Sequence, residues 1–235
     1  MSHGVKLLLA AMSNSGKTTA LAKLNPKTSL VINIDGKSFS HPIPHANFDS
    51  FPSVDALING WHDGDVYQDG IIDKVNKFAE ATGDMPETIA IDTISRAIMI
   101  IADNANNSHK GFEIYTQISK EVAKLMKFLQ VEIVNEGVNV VITSHVIQEV
   151  DGLWIDASVG SFKKAGGVLS TVDNSVFLSV ENKKYKVSHR VPGIPCRTLL
   201  SKEALPDTQK ADEYDIQKHL NLLQESMTEA TKFVI

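Results

Sequence analysis

The stretch "AAMSNSGKTTALAKL", Ala10 to Leu24, decides the fold. An apolar run, "VKLLLAAM" (5–12), leads into it. Asn14-Ser15-Gly16-Lys17-Thr18 then opens a segment of helical character, Gly16–Leu24, that ends before Asn25-Pro26. A glycine-bearing turn between strand and helix is where backbone N–H groups converge on a phosphate, with the lysine reaching the outer phosphates and the hydroxyl placed for Mg²⁺. The spacing fits G-x-x-x-x-G-K-[ST] except that Ala11 stands where the first glycine belongs. Alanine serves there if its φ stays negative, so the match is weakened and not lost. The preceding strand argues against a chance Gly-Lys-Thr at a helix start. Expected nucleotide contacts are Ser13, Asn14, Ser15, Gly16, Lys17, Thr18 and Thr19, with ATP as ligand.

Three more runs, "SLVINID" (29–35), "TIAIDTI" (88–94) and "VNVVITSHV" (138–146), are nearly continuous in Val, Ile and Leu. Strands without polar alternation belong in a parallel sheet covered on both faces. Helical spacing is read at Asp65–Ala81, at Phe112–Asn135 and at Ala211–Ser226. Strand alternating with helix gives an α/β, doubly wound, mainly parallel sheet whose ligands bind beyond the carboxyl ends of the strands. Asp92 ends one such strand, where a carboxylate holds the water shell of Mg²⁺; Thr18 and Asp92 are therefore the expected metal residues. A strand-end Asp also serves to cap the next helix, a post Ser95 is able to fill instead.

The single cysteine, Cys196, excludes an internal disulfide, and no apolar run reaches membrane-spanning length. A cytoplasmic protein with no membrane partner is expected, in the host cytoplasm if phage-encoded. The net charge of −5 is uneven: Gly160–Lys202 carries a local +6, leaving −11 on the remainder. A basic segment on an acidic scaffold suits either a phosphate-tracking surface or a solvated, lysine-rich hairpin. "VDNSVFLSVENKKYKVSHR" reads as that hairpin, with Glu181-Asn182-Lys183 near its turn. The expected division is a core over 1–205 and a helical tail over 206–235.

"VNVVITSHVIQEVDG" (138–152), followed by "KKAGGVLSTVDNSVFLSV", resembles the second DNA-binding loop region of RecA/RadA-type recombinases. Thr143-Ser144-His145-Val146, Val150-Asp151-Gly152 and Gly166-Gly167 carry the likeness, which extends over about 5–200. In size the chain is most similar to the compact phage Sak-type single-strand annealing ATPases. The resemblance implies a RecA-like P-loop NTPase with a C-terminal β-hairpin extension and a helical tail. It further implies ATP and Mg²⁺ held between subunits of a ring or filament on single-stranded DNA, with a single-strand-binding protein as a further partner. On that view Lys17, Asp35, Asp92 and His145 are catalytic, His145 replacing a glutamine that senses the γ-phosphate. Two loops, around Asn104–Tyr115 and Gln148–Ser170, would line the DNA path through Lys110, Phe112, Trp154, Phe162, Lys163 and Lys164; ordinary packing is the other reading of each aromatic. Arg190 and Arg197 are candidates to reach a neighbour's γ-phosphate.

The chain departs from the family at "INIDGKSFS" (32–40), where the water-polarising glutamate is missing. Either Lys37 replaces it or Asp35, one methylene shorter, stands in. With Val5 already beginning the first strand, the family's separate N-terminal domain and polymerisation segment are not expected, and "TKFVI" (231–235) is a candidate to dock on a neighbour. The leading expectation is an ATP-dependent, single-strand-binding protein that promotes annealing or strand exchange in phage homologous recombination. The alternatives are a nucleotide-gated accessory protein with little hydrolysis and a nucleotide kinase, the last disfavoured because the only arginines are Arg96, Arg190 and Arg197.

Overall fold

The computed structural model describes residues 3–37, 39, 41–150, 152, 154–156, 160–164 and 166–231. β1 (Lys6–Ala11) runs through the glycine-bearing loop into α1 (Lys17–Leu21), and β2 (Ser29–Asn33) follows. β3 (His45–Asn47) lies beside β2; α2 (Val54–Asn59) begins at Ser53, whose hydroxyl accepts from the Ala56 amide at 3.2 Å. A small hairpin of β4 (Trp61–Asp63) and β5 (Val66–Gln68) precedes α3 (Ile71–Thr82). β6 (Thr88–Asp92) leads to α4 (Ile94–Ser108) and α5 (Phe112–Phe128), which continues through a wider π turn at Leu129–Val134. β7 (Asn139–Gln148) folds back through β8 (Trp154–Asp156) to α6 (Gly160–Lys164) and a 3-10 turn at Val168–Thr171. β9 (Asn174–Glu181), β10 (Lys184–Ser188), β11 (Thr208–Lys210) and α7 (Ile216–Thr231) complete the described chain.

Among the described residues the main sheet has nine strands in the order β11-β10-β9-β1-β7-β6-β2-β3, with β8 paired to β7. From β9 to β3 all neighbours are parallel; β10 and β11 add antiparallel at one edge. The continuous apolar runs are explained by two cores. Leu8, Ile32, Ile91 and Ile142 point into the one covered by α2, α3, α4 and α5, while Leu7, Val31, Ala90 and Val141 point into the one under α1 and α7. Each fully buried Leu or Ile contributes about 1.5–3 kcal/mol, so a strand apolar on both faces is held from both sides.

The hairpin is present as expected: Glu181 pairs with Lys184 across Asn182-Lys183, both at positive φ (51° and 63°), the geometry whose twist matches a two-residue connection. Several expectations are corrected. The helix expected over Asp65–Ala81 begins only at Ile71, because residues 61–68 form the β4–β5 hairpin, closed by the Tyr67 hydroxyl donating to the Asn59 carbonyl at 2.8 Å. The first loop, expected around Asn104–Tyr115, shrinks to residues 109–111: Asn104 is helical and donates to the Phe51 carbonyl at 2.7 Å. Within 206–235, β11 joins the sheet at β10, and α7 starts at Ile216 and buries Leu220 and Leu223 beneath the sheet. Asp151 and residues 232–235 of "TKFVI" lie outside the described residues. No helix of the described chain is long and apolar enough to cross a membrane.

Candidate functional site

Four strands deliver the site. β1 ends at Ala11, β2 leads to Asp35, β6 ends at Asp92 and β7 carries His145, and all four are parallel, so their carboxyl ends open on the same side. Ala11 stays in the strand, paired with His145, and the left-handed backbone of the loop falls on Asn14 (φ 61°) and Gly16 (φ 88°). The bend that a first glycine would supply is thus made three residues later. α1 has only five residues, so its dipole adds little; the loop backbone and Lys17 dominate the positive end.

Lys17 is buried, and its ammonium donates to the Met12 carbonyl and to His145 Nδ1, both at 3.1 Å. It pairs with no carboxylate among the described residues. Burial lowers its pKa from the usual lysine range to about 8. Asp92 is buried as well; it accepts from the Thr143 hydroxyl at 2.6 Å and from the Thr18 hydroxyl at 3.1 Å. Burial raises its pKa, outweighing those two bonds. Burial disfavours the charge on each group, so a bound phosphate would favour the ammonium and a bound cation the carboxylate. Oxygen donors alone, the Thr18 hydroxyl and Asp92 carboxylate, suit a hard ion such as Mg²⁺. Helix capping does not compete for Asp92: Thr93 caps α4 by accepting from the Arg96 amide at 3.2 Å.

His145 is half-buried, held by its amide donating to Ser95 Oγ at 2.8 Å. Burial and then the Lys17 charge lower its pKa, so the imidazole is neutral and accepts from the lysine. Asp35 sits on the cavity wall with 20% of its side chain exposed, in an ion pair with Lys37 at 2.9 Å. The two residues that "DGK" offers at this position therefore lie side by side. Asn14 to Thr19 line a cavity of about 1160 Å³ with Asp35, Asp92 and His145; Ser13 is exposed on the loop and does not.

The remaining candidates separate. Phe112 is 91% exposed, and Lys110, Lys163 and Lys164 are exposed too, although Lys163 pairs with Glu149 at 3.4 Å. Trp154 packs edge-on against Phe177 with ring centres 4.8 Å apart, and Phe162 is half-buried on the same core. Arg190 donates to the carbonyls of Leu200, Ser201 and Leu205 and pairs with Asp207 at 2.9 Å. Arg197 donates to the Leu169 and Val172 carbonyls. Neither lines the cavity, and both tie together their own chain's loops, so a reach toward a neighbour is not what holds them in this structure. The basic stretch is also dispersed: Lys186 pairs with Glu181 and Lys202 with Asp207. Unnoticed in the sequence were Lys37 as the partner of Asp35, and Tyr185 and Tyr214 on the cavity wall.

A phosphate-type loop facing a strand-end carboxylate, on a mainly parallel sheet, defines a P-loop nucleoside triphosphatase. The profile of a family described as an AAA domain matches residues 3–198, and the chain belongs to that family. Comparison with curated proteins gives no match.

Proposed function

We propose that the chain is an ATPase stimulated by single-stranded DNA, promoting annealing or strand exchange in phage homologous recombination as a ring or filament of identical subunits. What supports the nucleotide half most directly is the phosphate-type loop, with Lys17, Thr18 and Asp92 gathered in one cavity where burial disfavours the charge of both Lys17 and Asp92. For the DNA half the support is positional. β7 carries His145 in the cavity and ends three residues later at Gln148, where the segment resembling a DNA loop begins. α6, bearing Lys163 and Lys164, is bonded to α5 through the Phe162 amide and Ser119 Oγ at 3.3 Å. α5 in turn begins at the exposed Phe112, beside Lys110, so the two expected DNA segments lie on adjoining elements. Exposed aromatic and lysine side chains are what a single strand needs, bases stacking and phosphates pairing.

Lys17 grips the phosphate oxygens, and the loop amides from Asn14 to Gly16 surround them. Thr18 and Asp92 would hold Mg²⁺, which when bound offsets charge on the phosphates. Asp35 orients the attacking water; catalysis is then positioning and electrostatics. When Lys17 turns to the phosphates it leaves His145 Nδ1 without its donor, which signals occupancy along β7. The Asp35–Lys37 ion pair favours a second reading, a nucleotide-gated binding protein of low turnover, because Lys37 competes with water for the carboxylate.

ATP hydrolysis with and without single-stranded DNA, beside mobility shifts over a salt series, tests the proposal. DNA-stimulated turnover supports the first reading and salt-sensitive binding without turnover the second. Lys17→Ala that leaves nucleotide affinity and DNA retention untouched refutes both.

A further inference from the structure

The cavity continues well past the phosphate loop, and its chemistry changes as it goes. At one end stand Lys17, Asp92 and His145; at the other, Leu178, Val187, Tyr185, Ala211 and Tyr214 give a mainly apolar wall. At about 1160 Å³ the space exceeds what a triphosphate alone requires and suits a whole nucleotide. Tyr185 joins the two ends. Its side chain stays 52% exposed although it lies in a concave site, and a β-carbon built on Gly16 would sit only 3.6 Å from its Cδ1. The ring therefore lies beside the phosphate loop, and no other aromatic ring stacks on it among the described residues.

The opposite wall is fixed. Lys23, just past α1, donates from its ammonium to the carbonyls of Ala211 (2.9 Å), Asp212 (3.0 Å) and Tyr214 (2.7 Å). Three charge-assisted bonds to carbonyls of one short stretch hold the 211–214 strap against the phosphate-loop helix, which sets the width of the gap before any ligand arrives. Tyr214 is itself buried, its hydroxyl meeting His219 Nδ1 at 3.1 Å, so the strap is anchored from behind as well. Lys210, paired with Glu213 at 3.0 Å, and Asp212 also line the cavity.

We propose that this far half of the cavity is a nucleobase slot, in which the Tyr185 ring stacks on the base of a bound nucleoside triphosphate and the Lys23-held strap forms the facing wall. The slot rests on the nucleotide reading of the loop and deepens it. Tyr185 is the base-contacting residue and Lys23 a positioning residue acting through the strap.

Calorimetric titration with two probes, Mg-ATP and Mg-tripolyphosphate, separates the slot from the phosphate site. In wild type ATP binds more tightly than tripolyphosphate. Tyr185→Ala weakens ATP by about tenfold or more, the loss of one stacked base, and leaves tripolyphosphate unchanged. Tyr185→Phe restores ATP affinity, since stacking needs the ring and not the hydroxyl. Lys23→Met narrows the ATP preference while tripolyphosphate binding persists. Equal weakening of both probes by Tyr185→Ala, or none of either, overturns the slot, as does a wild type that prefers tripolyphosphate; in each case the phosphate site stands. A wild type that binds neither probe overturns the slot and the nucleotide reading together.

Discussion

Acid should loosen this fold at one identifiable place. His189 and His219 are 0% and 1% exposed, with ring centres 5.4 Å apart. Gln209 meets His189 Nε2 at 3.1 Å and Tyr214 meets His219 Nδ1 at 3.1 Å, while His189 Nδ1 and His219 Nε2 have no hydrogen-bond partner among the described residues. Burial first, then the Arg190 charge, lowers His189 from 6.5 to about 4; burial and its neighbour lower His219 to about 3. Folded values below the unfolded ones mean that the unfolded chain takes up protons near pH 6.5 which the folded chain refuses. Stability is therefore complete above that pH and is lost as pH falls through the window down to about 4 and about 3. At about 1.4 kcal/mol per pH unit per imidazole, moving from pH 6.5 to 5 removes about 2 kcal/mol for each, about 4 for both, against about 5–15 for a whole domain. Urea unfolding followed by tryptophan fluorescence at pH 7, 6 and 5 should show the midpoint falling by about 1–2 M. Asp92, raised by burial, works in the opposite sense, so variants make the assignment. Each of His189→Gln and His219→Gln should remove about half the slope and the double variant nearly all of it. A wild-type midpoint unchanged between pH 7 and 5, or a double variant with its slope intact, would refute the reasoning.

Burial sets Lys17 at about 8 and a bound phosphate raises it again, so the complex holds a proton that the free site sheds; ATP affinity should be flat below pH 8 and fall as pH rises through it. Titrations at pH 7 and 9 check this, and Lys17→Ala should abolish the difference. Lys37→Ala frees Asp35 and should raise ATP turnover severalfold; a fall in turnover would show that Lys37 serves the phosphates instead. Gly4→Ala would drive a β-carbon into the Val138 carbonyl beside the start of β1, and should cost about 1–3 kcal/mol in urea unfolding; a change under about 0.5 would count against the packing described.

The parallel centre of the sheet was legible because strands buried on both faces show unbroken Val, Ile and Leu, and the 181–184 turn because Glu181-Asn182-Lys183 separates two β-rich runs. Other parts were not. "NANNS" has weak helix propensity, yet α4 runs through it because Ile101 and Ala105 are buried and Asn104 is bonded to Phe51. β11 is three polar residues at a sheet edge, where the backbone ladder and not side-chain burial makes the strand. At the site, Lys17, Thr18 and Asp92 converge as their motifs require. The attachments of Arg190 and the Lys37 partner of Asp35 depend on loop geometry that no local pattern encodes.

The Lys23 clasp has an implication for synthesis. The wall it holds, residues 211–214, leaves the ribosome some two hundred residues after the loop that begins the pocket. A nascent chain stalled before that point carries every phosphate-gripping group and an open-sided crevice, so a preference for ATP over bare tripolyphosphate should appear late in translation and report that the sheet's last edge has zipped into place.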